Sequence, residues 1–180
     1  MSMTKTGFLL AALAFPLALS ACGGGGKTDE TAQAYCPQPM TVGDAQRITR
    51  FRDGPGRDPR DVVFEATLAA SGTQCVRRTN EMEIDLIIRI VATAGPSVAA
   101  GSTSVPYFVR VLDGRGGVVQ GRDFIADFRL NAANPRAGSQ EELTLRLPFR
   151  EITEIAAYRI AVGLKPTQAE LQYNRRASQR

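Results

Sequence analysis

From Glu81 to Thr93 every second residue is apolar. Met82, Ile84, Leu86, Ile88, Ile90 and Ala92 share one parity; Glu83, Asp85, Ile87, Arg89 and Val91 share the other. A helix would scatter the six apolar side chains around its cylinder, whereas an extended strand puts them all on one face. A strand this long and this one-sided needs a second apolar layer to cover it, so the run commits the chain to a layered β fold. The same alternation recurs along the chain. Val62, Phe64, Ala66 and Leu68 form one strand, and a turn at Ser71-Gly72 leads into another around Cys75 to Arg77. Val105 to Leu112 is a strand with Pro106 near its start, where a missing donor does least harm. After a hairpin turn at Asp113–Gly117, the strand Val118–Leu130 places Phe124, Ala126, Phe128 and Leu130 together. Leu143, Leu145 and Leu147 mark another strand, and Tyr158, Ile160, Val162 and Leu164 the last. A short strand is expected over Ala45–Phe51. Asp53-Gly54-Pro55-Gly56 is turn chemistry, and Gly95–Ser104 and Asn131–Gln140 read as loops. Thr167 with Glu170 three residues later is a capping box, which opens a short helix or turn that Leu171 and Tyr173 dock on the body. The pattern predicts an all-β chain, an antiparallel two-sheet sandwich of seven to eight strands with a short C-terminal helix or turn. At 180 residues it is one domain.

The N-terminus is different. Lys5 precedes an uncharged, mostly apolar run from Gly7 to Leu19, too short for the about 20 residues of a membrane-spanning helix but suited to a signal peptide. Leu19-Ser20-Ala21-Cys22 then resembles the lipobox of bacterial lipoproteins. That resemblance implies a signal peptide over 1–21 and a lipid on Cys22; an ordinary secretory signal with a chance cysteine is the alternative. A multiply acylated cysteine holds a protein on a membrane effectively permanently. Gly23, rather than aspartate, follows the cysteine, which by the sorting rules of enteric-type bacteria implies the outer membrane, with the domain facing the periplasm. Residues 22–35, with four consecutive glycines, read as a flexible tether; 36–174 as the sandwich; and 175–180 as a basic tail.

Export places Cys36 and Cys75 in an oxidising compartment, where an even remainder reads as one disulfide that clamps the N-terminal segment onto the body; a pair of buried thiols is the alternative. No C-x-x-C spacing suggests redox chemistry. Among 22 basic residues only Lys5, Lys27 and Lys165 are lysines; the rest are arginines, suited to planar pairing with carboxylate or phosphate. Arg47, Arg50, Arg52, Arg57 and Arg60 interleave with Asp44, Asp53, Asp58 and Asp61. They read either as a solvated, self-paired loop or, through Arg50, Arg52, Arg57 and Arg60, as a patch for anionic headgroups or an acidic partner. Interleaved charge on an exported chain argues against nucleic acid.

Tyr158, after Ile155-Ala156-Ala157 and before alternating apolars, matches either the tyrosine corner of immunoglobulin-like sandwiches or a plain core tyrosine. Ile48-Thr49-Arg50-Phe51, Gly54-Pro55-Gly56-Arg57-Asp58, Asp61-Val62-Val63-Phe64-Glu65-Ala66, Val105-Pro106-Tyr107-Phe108-Val109 and Leu171-Gln172-Tyr173-Asn174-Arg175-Arg176 resemble a family of uncharacterised lipoproteins of Gram-negative bacteria. The resemblance implies no assigned activity and no functional residues.

Catalytic signals are poor. The chain has no histidine, which removes Ser-His-Asp and Cys-His catalysis and histidine metal sites. Glu81, Glu83 and Asp85 share a strand face and could hold Ca²⁺, but cross-strand arginine pairing is the better reading. Asp123 and Asp127 are expected to pair with Arg122, Arg129 or Arg110 rather than to act as a glycosidase dyad. The glycines of 114–121 precede a strand, not the helix a phosphate loop requires. No cofactor or metal is expected. The expected function is a non-catalytic interaction or scaffolding module of the cell envelope with an envelope-protein partner. The alternative is a binder of a lipid, glycan or peptidoglycan fragment, held between the sheets or by the loop Gly95–Ser104.

Overall fold

The one-sided strand anticipated at Glu81 lies inside a sheet and faces another. The computed structural model describes residues 29–54 and 57–177. The signal peptide, Cys22 and its glycine run, Pro55-Gly56 and Arg180 lie outside the described residues. The strands are β1 (Pro39–Thr41), β2 (Arg47–Phe51), β3 (Val62–Arg77), β4 (Glu81–Ala94), β5 (Gly101–Leu112), β6 (Val118–Leu130), β7 (Arg136–Pro148) and β8 (Arg159–Leu164), with helices α1 (Glu30–Ala34) and α2 (Gln168–Ala177). They form two four-stranded sheets in the orders β1-β8-β5-β6 and β2-β3-β4-β7. Every pairing is antiparallel except β1 with β8. This is the expected immunoglobulin-like sandwich.

The core follows from period-2 patterning. Met82, Ile84, Leu86, Ile88, Ile90 and Ala92 of β4 are all fully buried, and they share one core with Val105, Tyr107, Val109 and Val111 of β5 and Ile160, Val162 and Leu164 of β8. Burying each large aliphatic side chain contributes about 1.5–3 kcal/mol, which makes this face the principal source of stability.

Ser71-Gly72 does not turn the chain. Β3 is one continuous strand with a bulge between Ala70 and Gly72, where Gly72 adopts φ +138. The extra residue flips the parity of the strand. Phe64, Ala66 and Leu68 face inward before it; Thr73 and Cys75 face inward after it. Only with that flip does Cys75 meet Cys36, and the two form a disulfide with a Cα–Cα distance of 5.7 Å.

Several boundaries differ from expectation. Residues 29–35, expected as tether, contain α1. Asp29 caps it by accepting from the Ala32 N–H, and Ala32 is fully buried against the core. Gly101–Ser104 extends β5 rather than ending a loop. This leaves Pro106 within the strand, at the limit of the β8 pairing, where only its carbonyl is used, by the Lys165 N–H at 2.8 Å. Gly95 is pressed onto the Val62 backbone so closely that a Cβ there would lie 2.2 Å from the Val62 carbonyl oxygen. Arg136–Gln140 belongs to β7, and its inward positions include polar Ser139 as well as Ala137, with Glu141 next in turn. Tyr158 ends a 3-10 turn over Ile152–Ala157 and packs half-buried against the core. The capping box forms as expected: the Thr167 N–H donates to Glu170 Oε2 at 2.7 Å, and the Glu170 N–H donates to Thr167 Oγ1 at 3.3 Å. Α2 then continues through Arg175 and Arg176, which were expected to begin a tail.

Candidate functional site

Two regions stand out: the corner where α2 lies against β2, and the opposite side where the sheets end in β6 and β7.

At the corner, the arginines singled out by sequence sit close to one another, and each engages groups of this chain. Arg50 donates from Nε to Glu170 Oε1 at 2.6 Å and lies over the Phe64 ring. Arg52 pairs with Asp61 at 2.6 Å, and Arg60 with Asp58 at 3.0 Å. Arg57 stacks over Phe51 and donates to the Gly54 carbonyl. Arg175 closes the far end of α2 by pairing with Asp44 at 2.8 Å. The Arg60 side chain and N–H hold the Asp58 carboxyl below its usual range, and Asp58 in turn raises Arg60. The corner is therefore a set of internal ion pairs, two of which, Arg50–Glu170 and Arg175–Asp44, fasten α2 beside β2.

Glu170 is the central member, 5% exposed and holding both the helix cap and Arg50. Replacing it by alanine is expected to cost about 2 kcal/mol, less than the ~3–5 of a fully buried pair because Arg50 stays partly in water. Urea unfolding of Glu170→Ala checks the value, and hydrogen exchange should quicken selectively in α2 and β2.

Beneath the C-terminal half of α2 lies a polar cleft of about 450 Å³. Thr49 and Glu65, directly opposed in the β2–β3 register, line it together with Arg47, Thr67, Asp44 and Tyr173. Thr49 is 1% exposed, and its hydroxyl has no hydrogen-bond partner among the described residues. The ring of Tyr173 meets that of Phe51 edge-on at 5.0 Å, and the Asn174 amide donates to the Arg47 carbonyl at 2.7 Å, which fixes the helix over the cleft. Sequence reading missed this cleft because nothing in periodicity marks Thr49 as buried on the outer face of its sheet.

Glu83, Asp85, Asp123 and Asp127, four of the five carboxylates weighed for chemistry, are otherwise engaged. Glu83 meets Arg78 at 2.9 Å and its cross-strand neighbour Arg146 at 3.3 Å; Arg78 chiefly holds its pKa below the usual range. Asp85 accepts from the Thr144 hydroxyl, and Arg89 donates to Gln140. Asp123 is bound by Lys165 and Arg110, both at 2.5 Å, and they lower its pKa, Lys165 most. Asp127 takes the Ser104 hydroxyl rather than an arginine. Among the described residues no group of three or more potential ligands could hold a metal ion. Tyr107 has the largest displacement: burial, aided by the Glu141 carboxylate, pushes its phenol up to about 12. It is 1% exposed and stacked on Phe124, its cross-strand neighbour in the same sheet.

On the opposite side, β6 and β7 end their sheets next to each other. Each has 13 residues and no strand on its outer flank among the described residues. Β6 carries three large exposed apolar side chains, Val118, Val119 and Ile125, the last 66% exposed. The other edges differ: β1 has three residues, and β2 is covered by α2.

No protein-family model matches the chain, and no curated protein matches it.

Proposed function

We propose that the chain is a lipid-anchored, non-catalytic interaction module of the cell envelope, held through Cys22 on the periplasmic face of the outer membrane, and that it receives an extended segment of an envelope protein along the edge of β6. The observation that carries the reading is this edge. It combines a long row of backbone donors and acceptors with exposed apolar side chains; it contains neither lysine nor proline, and of its charged residues Asp123 and Asp127 are engaged by Arg110, Lys165 and Ser104. Strand addition uses that combination: backbone hydrogen bonds give affinity, and alternate side chains give specificity. The internal pairing of Arg50, Arg52 and Arg60 leaves the corner less suited to an acidic partner. The lowered carboxyl pKa values of Asp58, Glu83 and Asp123 fit structural ion pairs, not a general acid held protonated near neutral pH.

Ile125→Lys tests the proposal. The side chain points outward and is exposed, so folding should be unaffected, and a charge on the edge should abolish the partner complex recovered from detergent-solubilised envelopes. Retention of the complex in Ile125→Lys, and its loss when Arg52 and Arg60 are reversed to glutamate, would transfer the interface to the arginine corner.

A further inference from the structure

We infer that the cleft between α2 and the outer face of β2–β3 is a binding site for a neutral saccharide unit. The inference does not depend on the β6 edge. It rests on the composition of the cleft, its size and the state of Thr49. At about 450 Å³ the space matches a small ligand rather than a protein segment. Its charges cancel: Glu65 faces the cleft with Arg47, and Asp44 is paired with Arg175. An anion would meet two carboxylates there, a cation would meet Arg47, and an apolar ligand would strip water from polar groups with nothing in return. A polyhydroxylated ring is the chemistry that suits mixed donors and acceptors at close spacing, because each of its hydroxyls donates and accepts. Tyr173 adds an aromatic wall that combines an apolar body with a polar tip.

Thr49 distinguishes this cleft from an incidental groove. Its hydroxyl is buried and unpaired, and burying such a group without a hydrogen bond is costly unless something satisfies it. A valine in that position would fill the same volume at no such cost. The threonine is explained if a ligand hydroxyl bonds to it at the floor of the cleft. The location also fits an anchored protein. Glu65 lies ten residues before Cys75 on β3, so the cleft is roughly 30 Å along the strand from the disulfide that fastens the N-terminal segment.

The test titrates the full chain, purified in detergent, with N,N′-diacetylchitobiose, cellobiose and maltose, following tyrosine fluorescence and Tm. The expected result is that at least one disaccharide raises Tm in a dose-dependent way. Thr49→Val and Glu65→Gln should each weaken binding by about tenfold, the worth of one hydrogen bond of ~1.4 kcal/mol. The unliganded Thr49→Val chain should unfold at an equal or higher urea concentration than the wild type, which separates loss of binding from loss of folding. The inference is overturned if none of the three sugars shifts Tm at about 10 mM, well above a millimolar Kd, or if binding is the same in both variants.

Discussion

Removing the Cys36–Cys75 bond should lower the unfolding free energy by about 4 kcal/mol, the loop-closure value for a link spanning a separation of 39 residues. The loss has a structural location. The bond joins the segment after α1 to the inward face of β3, and α1 puts only Ala32 fully into the core. A helix of five residues has no stability of its own, so without the crosslink its docking rests on Ala32, the half-buried Tyr35, the Asp29–Arg77 contact at 3.5 Å, and two hydrogen bonds to β3, from the Cys75 N–H to the Gln33 side chain at 3.4 Å and from the Thr73 hydroxyl to the Pro37 carbonyl at 3.0 Å. Urea unfolding of the Cys36→Ser, Cys75→Ser double variant, compared with the oxidised chain, measures the difference. Coinciding midpoints would mean that the crosslink adds nothing to the stability of the sandwich.

The next largest effect belongs to β4. Ile88→Ala is expected to cost about 3–4 kcal/mol, the range for a fully buried aliphatic truncated to alanine. Ile88 lies mid-strand, fully buried, opposite Ala70 on one side and Glu141 on the other. Its chain neighbour Ile87 has the same side chain but lies on the outer face, half-buried. Ile87→Ala should therefore cost about 1 kcal/mol or less. The contrast between adjacent identical residues tests the face assignment itself, because any error in parity would exchange the two values.

Where alternation was strong, the chain was readable. Β4 was legible almost to the residue because its inward positions are all apolar, and the capping box of α2 was legible because Thr167 and Glu170 have the required spacing. Β3 was harder. A bulge reverses which parity is buried, and in a one-dimensional pattern that reversal looks like a turn, especially at a Ser-Gly pair. The first third of β7 was hidden for a different reason. Its inward residues there include Ser139, followed by Glu141, and the two hydrogen-bond to each other in a half-buried strip near the sandwich edge, so polar residues occupy positions where apolar ones would announce a strand. The disulfide was recoverable from cysteine arithmetic once export was assumed, although its geometry depends on the bulge. The arginine-rich segment was flagged by composition, but composition could not show that Glu170, about 120 positions away, would bury its carboxylate against Arg50. The β6 edge and the Thr49 cleft are properties of strand order and tertiary packing, and no local pattern announces either.

The most direct test of the central claim is a site-directed photo-crosslinking scan of the full chain in its native envelope, with probes at Val119 and Ile125 on β6, Gln140 on β7, Arg60 in the arginine segment and Arg176 on α2. One discrete protein adduct is expected from Val119 and Ile125, absent from Arg60 and Arg176 and lost from Val119 when Ile125→Lys is introduced. An adduct arising from Arg60 or Arg176 with none from β6 would contradict the claim.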